Sequence, residues 1–187
     1  MSVATRKLTV AEYRELPRPK GGWWELHHGE LVKVTFPVHK HNRIQLRLLF
    51  LLAPICGKRF VVAMEFAFRP EPEHELWSAD LGAVPEQRWA AIDPDGWMDG
   101  APDLAIEILS PSNTPKEIRH KQEMCMANGC KEFWVVDPDK MFVRVIHLDR
   151  EPKTYFIGGL IPLDVIGGGA LAVSEIFEVN VEQQGAL

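Results

Sequence analysis

Glu107 stands inside an otherwise apolar run, "DLAIEILS", residues 103–110. An ionised carboxylate among aliphatic neighbours costs several kcal/mol unless a cation or hydrogen-bond donors meet it. Two other acids offer themselves as companions. Asp103 shares a strand face with Glu107, because alternate residues of a strand point the same way. Four residues of strand span roughly 13 Å, however, and two ligands of one cation lie much closer than that. Asp103 is therefore better read as the residue that leads into the strand, or as a group supporting the site from behind. Asp80, in "WSADLGAV", fits better. On a neighbouring strand its carboxylate can converge with that of Glu107 on one hard divalent cation, Mg²⁺ or Mn²⁺, which prefers carboxylate oxygens, water and phosphate. Plainer readings stand beside these. Asp80 can cap a turn before Gly82, and Glu107 can pair with an arginine.

The third chemical group is a lysine. "TPKEIRHKQEMCMANG" has the marks of a helix. Thr114 is placed to cap it, Pro115 sits at the first helical position, Glu117 completes a capping box and Gly129 closes it. On a wheel with Ile118 at zero, Cys125 falls near about −20°, Gln122 about 40° and Lys121 about −60°, whereas Lys116 falls on the far side at about 160°. Lys121 and Gln122 thus lie on or beside the inward stripe. An inward lysine is unusual, although its stem can simply cover apolar surface while the ammonium reaches water. Two acids, a cation and a lysine can polarise a phosphodiester, position a water and stabilise developing charge.

These groups need a scaffold of strands and helices. "LTVAEYRELP" predicts a short helix capped by Thr9 and stopped by Pro17. "WWELHHGELVKVTF" predicts a hairpin turning at His28-Gly29. "HKHNRIQLRLLFLLAP" predicts a helix with His41, Ile44, Leu48 and Leu51 on one stripe. "RFVVAMEFAFRP" and "ELWSADLGAV" read as strands, "PEQRWAAIDPDGWMDGAP" as a loop, and "KEFWVVDPDKMFVRVIHL" as a hairpin around residues 137–139. Residues 150–180 hold one or two further strands and a short helix at "SEIF". Helices alternating with strands imply an α/β fold, a mixed sheet flanked by helices in one domain over residues 1–187.

Composition bounds the rest. The chain has 187 residues, 46% of them hydrophobic and 25% charged, as in an ordinary globular protein. Its net charge of −5 lacks the basic surplus of a typical nucleic-acid binder. Any phosphate track must be local, as Lys40, Arg43 and Arg47 on one helix and Arg119, His120 and Lys121 on another would provide, unless these are solvated helix faces. Cys56, Cys125 and Cys130 form no even framework and read as reduced thiols. The N-terminus lacks a signal-peptide core, and the longest apolar run, "LLFLLAPIC", is too short to span a bilayer. The expected setting is the cytoplasm, away from membranes.

The blocks "LTVAEYRELP", "WELHHGELV", "HKHNRI", "SADLGAV", "APDLAIEILSPSN", "HKQEMCMANGCKEFWVVDP" and "MFVRVI" resemble, in this order and over most of the chain, the Uma family of proposed restriction endonucleases within the PD-(D/E)xK nuclease superfamily. The resemblance implies a restriction-endonuclease-like fold and a metal-dependent DNA endonuclease with Mg²⁺ or Mn²⁺ as cofactor. It implies Asp80 as the first acid and Glu107 as the second, with the backbone carbonyl of Ile108 as a further metal ligand. The lysine expected two residues after the second acid is missing, since position 109 is Leu. The family moves it to the following helix, where Lys121 matches, in agreement with the wheel. Glu30 and His41 match positions near the site. Cys125 replaces a frequent Tyr, and Ala79 replaces the Pro of the "PD" signature; neither removes a ligand. Cutting both strands of a duplex implies a homodimer, for which Trp23, Trp24, Trp89 and Trp97 offer interface aromatics. A non-cleaving nucleic-acid-binding protein with the same fold, or a hydrolase of another phosphodiester, are the competing expectations.

Overall fold

A computed structural model describes residues 6–111 and 113–178, which form five helices and eleven strands. The chain opens with α1 (Val10–Arg14), where Thr9 and Glu12 build a capping box. The hairpin β1 (Gly22–His27) and β2 (Glu30–Thr35) follows, with His28 and Gly29 at φ 52° and 80° in its two-residue turn. That backbone is the mirror-image turn whose twist suits a hairpin, and it normally favours Gly or Asn. Then come α2 (His39–Cys56), β3 (Phe60–Arg69) and β4 (Trp77–Pro85). The stretch read as loop holds a short helix, α3 (Glu86–Ala90), and a two-residue strand, β5 (Met98–Asp99). Its five helical residues are too few to show a periodic stripe, which is why the turn residues dominated the reading.

The run around Glu107 is β6 (Leu104–Ile108), followed by α4 (Pro115–Ala127), β7 (Glu132–Asp137) and β8 (Phe142–His147). The Thr114–Glu117 capping box is present, and Gly129 follows α4 at φ 104°. The C-terminal part is richer in strands than expected: β9 (Lys153–Phe156), β10 (Leu160–Pro162) and β11 (Ala170–Ala172) precede α5 (Val173–Phe177).

Seven strands form one mixed sheet in the order β5-β3-β4-β6-β7-β8-β9, with β6 in the middle. β6 and β7 run parallel, joined through α4, while β4 and β6 run antiparallel. Both faces of the sheet are covered. Leu104, Ile106 and Ile108 of β6 meet Ile44, Leu48 and Leu52 of α2 in one buried cluster. Ala105 of β6, with Phe133 and Val135 of β7, meets Cys125 and Met126 of α4 in another. A residue between Ile106 and Ile108 therefore points to the α4 side, and that residue is Glu107. The inward stripe of α2 is His41, Ile44, Gln45, Leu48, Leu52 and Cys56; Leu51 lies beside it, half-buried. A third small cluster, Val10, Leu26 and Leu76, fastens α1 and the β1–β2 hairpin to the body. The result is a restriction-endonuclease-like α/β architecture. No helix among the described residues is long and apolar enough to cross a membrane.

Candidate active site

The sheet is irregular at one place. The β3–β4 ladder runs from Phe60↔Pro85 to Met64↔Leu81, skips one pair and resumes at Phe66↔Ala79. The pair skipped is Glu65 with Asp80. The β4–β6 ladder stops at Leu81↔Ile106, one step short of Asp80 opposite Glu107. Three adjacent strands thus bring Glu65, Asp80 and Glu107 to one row. Residues directly opposite in antiparallel strands hold their Cβ atoms about 5 Å apart. Glu65 has φ 48°, a left-handed backbone that costs a non-glycine residue about 1–3 kcal/mol. The core reports the same break. Leu81 and Ala83 of β4 belong to the α2-side cluster, whereas Ala79 and Trp77 belong to the α4-side cluster.

Each acid of the row is held by donors. Asp80 Oδ2 accepts the Ile108 N–H at 2.6 Å and lies 3.0 Å from His41 Nε2. Gln45 Nε2 donates to the Asp80 carbonyl at 2.7 Å and to Glu65 Oε1 at 2.8 Å. Glu107 is only 5% exposed. Lys121 Nζ donates to both of its oxygens at 3.1 Å and to the Ser78 carbonyl at 2.7 Å. A fourth acid joins from the hairpin: Glu25, buried, accepts the Ser78 N–H at 3.1 Å and pairs with His27 Nε2 at 2.7 Å. These groups line a cavity of about 670 Å³ walled on its other side by Trp23, Val32, Val34 and Phe36 of the hairpin.

The titration behaviour follows from crowding acids in a poorly hydrated cleft. Burial pushes the Glu107 carboxyl well above the ordinary range; Lys121 opposes this and the Asp80 charge adds to it. Burial likewise raises Glu65, with Gln45 opposing and Asp80 adding. Burial alone would lower Lys121, but the charges of Glu107, Glu25 and Asp80 outweigh it and hold the ammonium charged. His41 behaves the same way: burial pushes it down, and its bond to Asp80 with the charges of Asp80 and Glu65 carries it up. One ammonium faces Glu25, Glu65, Asp80 and Glu107, so the cleft retains a strong demand for positive charge.

A hard divalent cation suits that demand. Among the described residues no three His, Cys, Asp or Glu side chains converge as a complete metal cage. Mg²⁺ does not require one, since it is commonly held by one or two carboxylates with water and substrate phosphate. Asp80 Oδ2 is spent on Ile108 N–H and His41, which leaves Oδ1 as the free donor, and Ile108 lines the same cavity. The donor set therefore fits Mg²⁺ or Mn²⁺ in kind.

Of the residues singled out in the sequence, the structure brings Asp80, Glu107, Ile108, Lys121 and His41 together. Lys116 is exposed, as the wheel requires, and Gln122 is half-buried without a hydrogen bond to the acids. Glu30 is not at the site. It is exposed at the start of β2, opposite His27 at the hairpin turn. Glu25 takes that place, because Trp23, Glu25 and His27 alternate onto the cavity side of β1. Asp103 is buried at the other end of β6, where Arg88 at 2.5 Å and Lys131 at 2.6 Å neutralise it; it anchors the α3 and β7 connections rather than supporting the site. The α2 cations are also spent: Lys40 pairs with Asp139, Arg43 with Glu178 and Arg47 with the Glu175 carbonyl. Glu65 and Gln45 escaped the sequence reading. In the sequence Glu65 is one polar position of a strand-like run, and Gln45 lies beside the stripe of His41, Ile44, Leu48 and Leu51.

The family model described as "Uma2: Putative restriction endonuclease" matches residues 10–174. The chain belongs to this family. Among solved structures, a "putative nuclease belonging to DUF820" from Anabaena variabilis ATCC 29413 is similar at a TM-score of 0.78. It shares 21% identity and the match covers 91% of this chain and 98% of that one, which establishes a common fold. No curated protein matches at a significant level. As a Uma2 member the chain belongs to a family described as putative restriction endonucleases, and it shares the fold of a protein described as a putative nuclease.

Proposed function

We propose that this Uma2 protein is a Mg²⁺- or Mn²⁺-dependent endonuclease that hydrolyses phosphodiester bonds of DNA. The observation that carries the proposal is the joint placement of Asp80, Glu107 and Lys121. The two acids are next in register on adjacent strands, and the lysine is clamped to both Glu107 oxygens from α4. In this reading Asp80, Glu107 and the Ile108 carbonyl hold the cation, which supplies Lewis-acid polarisation of the phosphodiester and an acidified water. Lys121 stays charged throughout and stabilises the extra negative charge that develops on the phosphoryl oxygens. Its fixed position costs no reorganisation during the reaction. Ile108 N–H, His41 and Gln45 hold Asp80 in place so that its free oxygen faces the cavity, and Glu65 keeps Gln45 oriented.

The acid cleft also argues against a simple DNA-binding role. Carboxylates repel phosphate, and a protein that only binds has no use for four of them beside one lysine. The test is nicking of supercoiled plasmid by the purified chain. Nicking should require Mg²⁺ or Mn²⁺, stop with EDTA and vanish in Asp80→Asn. Cleavage that proceeds without divalent metal, or no cleavage with any of them, overturns the proposal.

A further inference from the structure

A second cluster of metal-binding groups lies on the rim of the same cleft. His28 stands in the β1–β2 turn at φ 52°, where Gly or Asn would be the relaxed choice. That backbone aims its ring at α4. His28 Nε2 and His120 Nε2 lie 3.2 Å apart. Two imidazole nitrogens at that separation cannot both carry a proton. Two ligands of a tetrahedral Zn²⁺, with bonds of about 2.0–2.1 Å, stand about 3.3 Å apart.

The far side of His28 is built as a metal-ligating histidine requires. Its Nδ1 meets Glu75 Oε1 at 2.7 Å. Glu75 is 1% exposed, its Oε1 also accepts the His28 N–H at 2.9 Å and its Oε2 accepts Trp77 Nε1 at 2.6 Å. A carboxylate so fixed keeps the proton of neutral His28 on Nδ1 and the lone pair on Nε2, the arrangement in which an outer carboxylate orients and strengthens a ligand. His120 is braced by its ring packing on Trp77, with centroids 5.3 Å apart. The His28 side chain is 53% exposed, so water can complete the coordination.

We propose that His28 and His120 form a two-histidine site for a borderline divalent cation of the Zn²⁺ class, separate from the oxygen-ligand site at Asp80 and Glu107. Imidazole nitrogen selects Zn²⁺, Cu²⁺ or Ni²⁺ over Mg²⁺. The bound ion ties the β1–β2 turn to α4. Glu25 lies on β1, and Lys121 follows His120 on α4, so occupancy fixes the spacing of the two walls of the acid cleft. The site regulates the cleft without entering its chemistry.

The experiment is calorimetric titration of the chelator-stripped full chain with ZnCl₂ at pH 7.5, alongside thermal melting. Four variants accompany the wild type: His28→Asn, which suits the left-handed turn, His120→Gln, Glu75→Gln, and the double variant Asp80→Asn/Glu107→Gln. Zn²⁺ should bind the double acid variant, which lacks the oxygen ligands that also attract it, at one site and raise its melting temperature; the wild type should show a site of the same affinity beside any Zn²⁺ taken up by the acid cleft. That site should disappear in His28→Asn and His120→Gln and weaken about 10–100-fold in Glu75→Gln. Circular dichroism verifies that each variant is folded. The proposal is overturned if the wild type does not bind Zn²⁺, if both histidine variants bind it unchanged, or if binding is lost with the acids instead. Because the readout is binding, none of these outcomes depends on whether the protein cleaves DNA.

Discussion

Replacing Lys121 with Ala separates a working site from a fortuitous ion pair. The structure sets the magnitude. The ammonium makes three charge-assisted hydrogen bonds, two to Glu107 and one to the Ser78 carbonyl. Breaking one side of a buried ion pair costs about 3–5 kcal/mol. Here Glu107 has a way out: burial already favours its protonated form, so it can take up a proton and shed part of the penalty. The loss should therefore sit near the lower end, about 3 kcal/mol, or about 6–12 °C in melting temperature for a domain of this size. Activity should fall further. Removing one preorganised electrostatic donor costs about 10²–10³ in rate. Lys116→Ala, on the exposed face of the same helix, should stay within about 0.5 kcal/mol and keep full activity. The assay is plasmid nicking at a temperature where melting curves show both variants folded, so that rate and stability are read apart. A Lys121→Ala protein that melts and cleaves like the wild type would refute the reasoning.

Other predictions follow from neighbouring groups. His41→Ala should weaken Mg²⁺ binding about 10–100-fold by releasing Asp80 Oδ2, while His41→Gln, which keeps a donor, restores much of it; calorimetry decides. Glu132 is buried against Trp134 and burial pushes its carboxyl up to about 7. A raised acid contributes stability that is full below its unfolded value of 4.5 and lost as pH climbs through about 7. Glu132→Gln should therefore melt higher than the wild type above pH 7, by up to about 3 kcal/mol, and no higher near pH 4; equal melting curves at both pH values would contradict it. Of the four tryptophans considered for a dimer interface, Trp89 is exposed while Trp23, Trp24 and Trp97 are half-buried, Trp97 against Tyr13; a homodimer is still expected, because cutting both strands of a duplex needs two sites. Light scattering at micromolar concentration should give twice the 21.2 kDa chain mass, and a monomer would count against two-strand cleavage by paired sites.

The sequence carried the architecture far because its signals were local. Thr114, Pro115 and Glu117 mark the start of α4 within four residues, and the His28-Gly29 turn marks the first hairpin. The wheel placed Lys121 inward because a helix face depends only on spacing. What stayed hidden depends on register between distant strands. Glu65 belongs to the site because β3 pairs with β4 in one particular alignment and the ladder breaks at its pair with Asp80. Nothing in "VVAMEFAF" announces that break. The place of Glu25 was hidden for the same reason: Glu25 and Glu30 are both hairpin acids, and only the docking of the hairpin on β4, through Glu25 and the Ser78 N–H, distinguishes them. The cations of α2 looked like a phosphate track because their partners, Asp139, Glu175 and Glu178, lie about a hundred residues or more away in the chain.

Several violations of local rules meet at the acid row, and their sign is informative. A left-handed glutamate inside a strand, an interrupted pair of ladders and a buried carboxylate beside other carboxylates each disfavour folding. A structural ion pair would explain Lys121 with Glu107 and nothing else. It would not explain why Glu65 and Asp80 sit in the same row, since each added acid raises the cost of keeping Glu107 ionised. Conversely, every added acid increases the affinity of the cleft for a multiply charged cation, and the donors around Asp80 spend one oxygen while sparing the other. The arrangement is poor as a device for stability and coherent as a receptor for divalent positive charge. Stability and site therefore pull in opposite directions here, as expected where preorganised charge serves chemistry rather than the fold.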